Sequence, residues 1–259
     1  MTSVPTVAGG RVLVTRRPEQ SRTLVDALTA IGVAVVEVPL VTLAPPLEPG
    51  PLRQAAASID AYGWIVLTSA NAVDALAAAL EEAGRAVPAA ARIASVGPAT
   101  SRSIRERLRA QVALEPSRDF QGEGLLAAFG AVDVAGHRLL MPVSDRAREV
   151  LPAGLRGLGA VVDVVVAYRT VTPPDTAAAL TRALERGIDL VTLASPSAVE
   201  GLTAALGPAV QGVPAAVIGP ITERAARAAG LDVRVRAEPA TTEGLVAAVR
   251  RHFAGAPSR

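Results

Sequence analysis

The feature that most constrains this chain is an internal duplication. The segment Trp64–Leu80, WIVLTSANAVDALAAAL, returns at Asp189–Leu206 as DLVTLASPSAVEGLTAAL. Ser69 aligns with Ser195, and Ala72-Val73 with Ala198-Val199. ARIASVGPATSRSI, from Ala91, returns as PAAVIGPITERAA from Pro214, which sets Gly97-Pro98 on Gly219-Pro220 and Thr100 on Thr222. GEGLLAAF from Gly122 returns as TEGLVAAV from Thr242, and the opening RVLVTRRPEQ from Arg11 is paralleled by HRLLMPVSDR from His137. A repeat carried through the whole length makes two similar structural units the simplest fold.

Within each copy, short continuous apolar runs such as Ile65–Leu67, Ile93–Val96 and Val217–Ile218 alternate with Ala- and Leu-rich stretches bearing arginine on one side. Strands covered on both faces read this way, and β–α alternation predicts a parallel sheet. The expected fold is α/β, with two doubly wound parallel-sheet lobes arising from the duplication. Each copy should run strand–helix–strand, then a link, then three strand–helix units. The proline-rich stretches Thr42–Pro51 and Thr170–Asp175 are the expected links, each after the second strand of its copy. A chain that crosses at both links builds each lobe from the start of one copy and the end of the other. Lobe 1 then comprises residues 1–41 and 171–259 and lobe 2 residues 42–170, with a ligand cleft between them. The first ten residues read as a loose tail. The chain stops at Arg259, shortly after the last expected helix, so no added DNA-binding domain is expected.

Composition narrows the chemistry. None of the 259 residues is cysteine, which removes disulfides, thiol catalysis and cysteine–zinc sites. Two histidines, His137 and His252, do not make a histidine-rich metal site. Aromatics are 2 % of the chain, too few to read nucleic-acid bases by stacking. The basic residues are all arginine and are spread along the chain, so neither a nucleic-acid nor a membrane surface is expected. No signal peptide and no apolar run long enough to span a bilayer is present, which predicts a cytoplasmic protein, expected as a monomer. Scattered arginines still suit an anionic small molecule, because a guanidinium grips a carboxylate with two parallel hydrogen bonds.

The recurrent motif is an apolar strand, a turn holding Ser or Thr, and a helix. It occurs at Thr68-Ser69, Gly97–Ser101, Ser195–Ser197 and Gly219–Thr222. A hydroxyl at such a turn caps the helix, while the remaining N–H groups and the helix dipole favour an anion. In open α/β sheets these turns lie at the carboxyl ends of the strands, where ligands bind. One such turn is ordinarily a cap and nothing more. Four, paired between two lobes, describe a grip for a ligand with several carboxylates or phosphates. The binding candidates are Ser69, Asn71, Thr100, Ser195, Ser197 and Thr222, with Thr15 and Arg16 after the first strand and Arg148 in the matching turn of the second copy. Nucleotide motifs fail: GLRGLG at Gly154–Gly159 has the wrong spacing and ends a helix, and without lysine no phosphate loop of the GxxxxGK type exists.

Tyr168 ends the run Val161–Ala167, just before the second link. A phenol is protonated at neutral pH and can donate a proton or a hydrogen bond. A structural hinge tyrosine is the plain alternative. The copy's equivalent stretch, Val38-Pro39-Leu40, has no tyrosine, so this group is not duplicated.

Taken in order, these motifs resemble the uroporphyrinogen-III synthase family over nearly the whole chain. VLVTRRP with downstream GVAVVEVPLV is similar to the family's start. WIVLTSANAV and VTLASPSAV are similar to its two strand–Ser–helix motifs, SVGPAT and VIGPIT to its two Gly–Thr motifs, and VAYRT to its signature before the crossover. Two departures are visible: Leu193-Ala194 stands where Phe-Thr is more usual, and Arg17 is an extra residue in the opening pattern. The resemblance implies a lyase of tetrapyrrole biosynthesis that uses no metal and no cofactor. Its substrate would be hydroxymethylbilane, a linear tetrapyrrole with eight carboxylates, which loses water and closes with inversion of ring D through a spiro intermediate. It further implies that Tyr168 assists departure of the hydroxyl, that the Ser/Thr turns hold carboxylates, and that the upstream hydroxymethylbilane synthase is a transient partner. The residues alone leave a catalytically inactive anion-binding or regulatory relative open.

Overall fold

The structure is a computed structural model that describes residues 9–255. Most of the expected N-terminal tail, residues 1–8, lies outside the described residues. The chain forms two compact units, each with one five-stranded sheet. Unit 1 is the chain up to Thr42 together with the chain from Val171 onward, and unit 2 is Leu43–Thr170.

Unit 1 contains β1 (Arg11–Val14), α1 (Pro18–Ala30) and β2 (Ala34–Glu37) from the first copy. From the second copy it takes α7 (Thr176–Glu185), β8 (Leu190–Leu193), α8 (Pro196–Leu206), β9 (Pro214–Val217), α9 (Pro220–Ala228), β10 (Asp232–Arg236) and α10 (Thr242–Ala254). The strand order is β10-β9-β8-β1-β2, with every pairing parallel. Unit 2 runs β3 (Thr42–Ala44), α2 (Gly50–Ala57), β4 (Trp64–Leu67), α3 (Ala70–Glu82), β5 (Arg92–Ser95), α4 (Pro98–Ser103), α5 (Gly122–Phe129), β6 (Arg138–Ser144), α6 (Val150–Gly157) and β7 (Val161–Val171). Its order is β3-β7-β6-β4-β5, with β4–β5, β4–β6 and β6–β7 parallel.

The two sheets follow one plan. In unit 1 the two copies are stitched together where β1 pairs with β8, Leu13 opposite Val191; in unit 2 the same junction is β6 with β4, Leu140 opposite Ile65. The chain order reverses at each junction, which makes it the topological switch point of its sheet. The continuous apolar runs have the expected cause. Val12 and Val14 enter the cluster on one face of their sheet and Leu13 the cluster on the other. Likewise Trp64 and Val66 face one way and Ile65 and Leu67 the other. Each face is closed by helices whose apolar residues recur at helical spacing, as Ala72, Val73, Leu76, Ala79 and Leu80 do on α3.

Four expectations need correction. The first link is not all loop: Thr42–Ala44 adds a strand outside β7, and α2 begins at Gly50, where Pro51 fits the first helical turn. The strand expected just before α5 is reduced to a single parallel bridge, Ala94 with Leu114, where its counterpart before α10 is all of β10. Ile218 lies in the turn after β9 rather than in the strand. Tyr168 lies inside β7, which continues to Val171.

The close entry into the last helix of each copy, α5 and α10, explains a glycine repeated at the same place. A Cβ on Gly124 would collide with the carbonyl oxygen of Asp119, and one on Gly244 with that of Pro239. Both turns fold tightly back on the first helical turn, and only glycine leaves room.

Candidate active site

Each sheet presents three turns at the carboxyl edge around its switch point. In unit 2 they follow β4, β5 and β6. Ser69 is extended (φ −160°) and its Oγ accepts the N–H of Ala72 at 3.1 Å, capping α3. Ser195 does the same for α8, accepting from Ala198 at 3.2 Å, and its Oγ also meets Ser197 Oγ at 2.9 Å. These caps are local: the hydroxyl serves an N–H three residues on.

Thr100 and Thr222 behave differently. The N-caps of α4 and α9 are Gly97 and Gly219, and neither helix has a side-chain cap. The threonines lie in the first helical turns, 5 % and 3 % exposed. The reason is steric: Gly97 packs against Phe120 and Gly219 against Ala240, close enough that a Cβ would sit about 3.0 and 3.1 Å from them.

Tyr168 and Ser69 come together. Tyr168 Oη lies 3.1 Å from Ser69 Oγ, so the phenol on β7 reaches across the end of β6 to the turn after β4. Ser69 Oγ already accepts from Ala72. It still has a proton to give, and giving it to Tyr168 leaves the phenol's own proton free for a ligand. A bulge between Val143 and Ser144 sets Ser144 opposite Tyr168, and Asp145 pins the strand by donating its N–H to the Tyr168 carbonyl at 3.1 Å and accepting the N–H of Thr170 at 3.1 Å. Asn71 is half-buried in the first turn of α3, beside this pair in sequence.

The remaining candidates are dispersed. Thr15 is buried, and its Oγ1 donates to the Thr192 carbonyl at 2.8 Å while Thr192 Oγ1 donates to Leu13 at 3.1 Å, a reciprocal clasp across the β1–β8 junction. Arg16 is half-buried in the same turn. Arg148 is exposed in the turn after β6 and forks both oxygens of Glu123, Nη1–Oε1 at 2.7 Å and Nη2–Oε2 at 3.0 Å. Glu123 is held below the ordinary carboxylate range by its own backbone N–H and then by Arg148.

A cavity of about 230 Å³ opens at this edge of unit 2. Thr68, Val96, Phe120, Glu123, Met141 and Arg148 are among its lining residues. Sequence reasoning singled out Arg148 but not Glu123 or Phe120. The signal is the repeat itself, which sets Phe120 against Ala240 three residues before the shared Glu-Gly-Leu. Tyr62, the second tyrosine, is spent elsewhere. It donates to Asp163 at 2.9 Å beside Arg138, and burial, with Asp163 second, pushes its phenol up to about 12.

A duplicated α/β protein with hydroxyl-bearing turns and arginines at the switch point of each sheet is of a class whose sheet edges suit anionic ligands. Among the described residues no group of three or more His, Asp or Glu gathers as a metal ligand set. The family model for uroporphyrinogen-III synthase HemD matches residues 22–247. A uroporphyrinogen-III synthase of Synechococcus elongatus is 34 % identical over 229 residues, covering 83 % of this chain and 84 % of that one. A putative uroporphyrinogen-III synthase of Methanothermobacter thermautotrophicus is 32 % identical over 222 residues, covering 82 % and 86 %. Among solved structures, a mutant uroporphyrinogen III synthase of Thermus thermophilus shares the fold at a TM-score of 0.63 and 19 % identity, covering 96 % of this chain and 100 % of that one. The uroporphyrinogen-III synthetase of Helicobacter pylori shares it at 0.55 and 14 %, covering 94 % and 100 %. The chain belongs to the uroporphyrinogen-III synthase family, cyclising lyases of tetrapyrrole synthesis.

Proposed function

We propose that this chain converts hydroxymethylbilane to uroporphyrinogen III, and that the hydrogen-bonded pair Tyr168–Ser69 is where the reaction starts. The observation carrying the site assignment is the 3.1 Å contact between these two hydroxyls, at the sheet edge where ligands bind in such folds. Tyr168 gives its proton to the hydroxyl of the first ring as the C–O bond breaks and water leaves. Ser69, donating to the phenol oxygen, steadies the phenolate that forms. The terminal ring then attacks the resulting methylene cation through its substituted carbon, giving the spiro intermediate. Reopening and closure with ring D inverted follow. Loss of a ring proton restores the pyrrole and returns the proton to Tyr168, so the sum is loss of one water.

Free in solution, the bilane closes at the unsubstituted position and gives the I isomer. The protein's main contribution is therefore to hold the chain folded, which is proximity and orientation. We infer that Ser69, Asn71, Thr100, Ser195, Ser197 and Thr222 provide hydroxyls, amides and adjacent backbone N–H groups for carboxylates. Arg16 and Arg148 add charge. Thr15 contributes through the position of its turn, because its hydroxyl is committed to Thr192. Because the bilane is labile, direct transfer from hydroxymethylbilane synthase through a transient contact fits the same reading, as does work in the cytoplasm. Among the described residues no helix is long and apolar enough to cross a membrane.

The test supplies hydroxymethylbilane, oxidises the product and separates the uroporphyrin isomers chromatographically. Isomer III above the uncatalysed background is expected. Isomer I alone overturns the reading.

A further inference from the structure

Position by position among the described residues, unit 2 carries an ion pair that unit 1 lacks at the matching turn, Arg148 with Glu123. Glu123 of unit 2 and Glu243 of unit 1 are twins, each one residue before a glycine that closes the turn. Glu243 serves its helix alone: its own backbone N–H, then the Thr241 hydroxyl, hold its carboxyl below the ordinary range. Glu123 has the same backbone contact, but Gln121 stands where Thr241 caps α10, and Gln121 gives no side-chain cap. Its second partner is Arg148, gripped by both oxygens at 2.7 and 3.0 Å. Both side chains line the cavity at the ligand edge of unit 2. The exposed Phe120 and Val150 line it as well, and supply apolar surface of the kind a pyrrole ring covers.

This pair is poorly placed to serve stability. Its side chains are 62 % and 42 % exposed, and an exposed ion pair shifts an equilibrium by no more than about fivefold. The pair does control a binding group. A carboxylate of the chain already sits in the bidentate fork that a ligand carboxylate would use, and both partners stand in the wall of the cavity. We propose that Glu123 is a built-in competitor for Arg148, a stand-in carboxylate that occupies the guanidinium and yields it to a carboxylate of the substrate. The inference rests on the function proposed above. It makes Glu123 a positioning residue that sets substrate affinity, and it explains why unit 2 carries this arginine opposite its glutamate whereas Glu243 keeps a hydroxyl partner.

The experiment measures KM for hydroxymethylbilane, kcat and the isomer ratio for wild type, Glu123→Gln, Arg148→Ala and the double variant, with thermal midpoints alongside. Removing the competing charge should lower KM about two- to fivefold. Arg148→Ala should raise KM, and in that background Glu123→Gln should change nothing further. Glu123→Asp, whose shorter side chain keeps the charge but loses the two-point grip, should also lower KM, and it answers the question if the glutamine variant folds poorly. A glutamate that only supports its helix would give the opposite sign, a higher KM with a lower thermal midpoint, and that result overturns the proposal. So does an unchanged KM in both Glu123 variants, or a Glu123→Gln gain that persists without Arg148. A wild type that makes no isomer III refutes the functional reading instead, so the two failures are distinct.

Discussion

Replacing Tyr168 by phenylalanine separates stability from chemistry. The ring of Tyr168 packs against the cluster containing Ile65, Leu67 and Val165, and phenylalanine keeps that contact. What goes is one hydrogen bond, to Ser69 at 3.1 Å, between two half-buried side chains. Such a bond contributes about 0.5–1.5 kcal/mol at most. For a protein of this size the thermal midpoint should fall by only about 2–4 °C per kcal/mol. Turnover should fall far more. A positioned general acid contributes roughly 10²–10⁴-fold. Because the bilane loses its hydroxyl unaided, the low end applies, about a hundredfold, with KM within about twofold. Uncatalysed closure runs on at its own rate, so the product shifts from isomer III toward isomer I. The assay follows loss of bilane and the isomer ratio over a range of substrate concentrations. A kcat within threefold of wild type and a normal ratio would falsify the role given to Tyr168. Ser69→Ala is the companion variant. It removes the phenol's partner and the cap of α3, costing about 1 kcal/mol in stability and about tenfold in turnover. If the two losses simply multiply in the double variant, the hydroxyls do not act as a pair.

Three further outcomes follow from the packing and the charges. Gly124→Ala and Gly244→Ala should each destabilise the protein by about 1–3 kcal/mol, because the new methyl meets the carbonyl of Asp119 or Pro239; an unchanged unfolding transition in either would show that the turn can relax. In the Tyr168→Phe variant Tyr62 is the sole tyrosine, and its ultraviolet titration should have a midpoint of about 12. Its folded pKa lies above the unfolded value near 10, so the stability it contributes is complete below about pH 10 and is lost as pH rises towards 12; a midpoint near 10 contradicts the burial and the Asp163 bond. Glu223 is held below the ordinary carboxylate range by Arg227 first and Arg236 with it, at 2.9 and 3.0 Å. Its folded pKa is depressed, so its contribution is present above about pH 4.3 and is lost as pH falls through the folded value. Glu223→Gln should therefore lower stability at neutral pH, weakly and less in high salt, and have no effect in strong acid; a loss independent of pH would count against the ion pairs.

What the sequence determined by itself was local or periodic. The strands are legible because both faces of each sheet are covered, so Val12, Leu13 and Val14 are all apolar although they enter different clusters. The caps Ser69 and Ser195 are legible because a hydroxyl and the N–H it serves are three residues apart. The duplication showed that two such units exist. Tertiary structure decided whatever depends on which strands lie side by side. Thr15 reads like a ligand hydroxyl until the β1–β8 register sets the Thr192 carbonyl 2.8 Å away. Thr100 and Thr222 read like caps until the packing of Gly97 and Gly219 gives that position to glycine. Arg148 reads as a free cation until the fold brings Glu123 from 25 residues away into its fork. Tyr168 stands out in the sequence because the other copy lacks it. Its partner was not readable, because the contact crosses β6 and joins residues 99 apart in the chain. A side chain's chemistry is written in its identity, but its availability depends on neighbours that only strand order and packing supply.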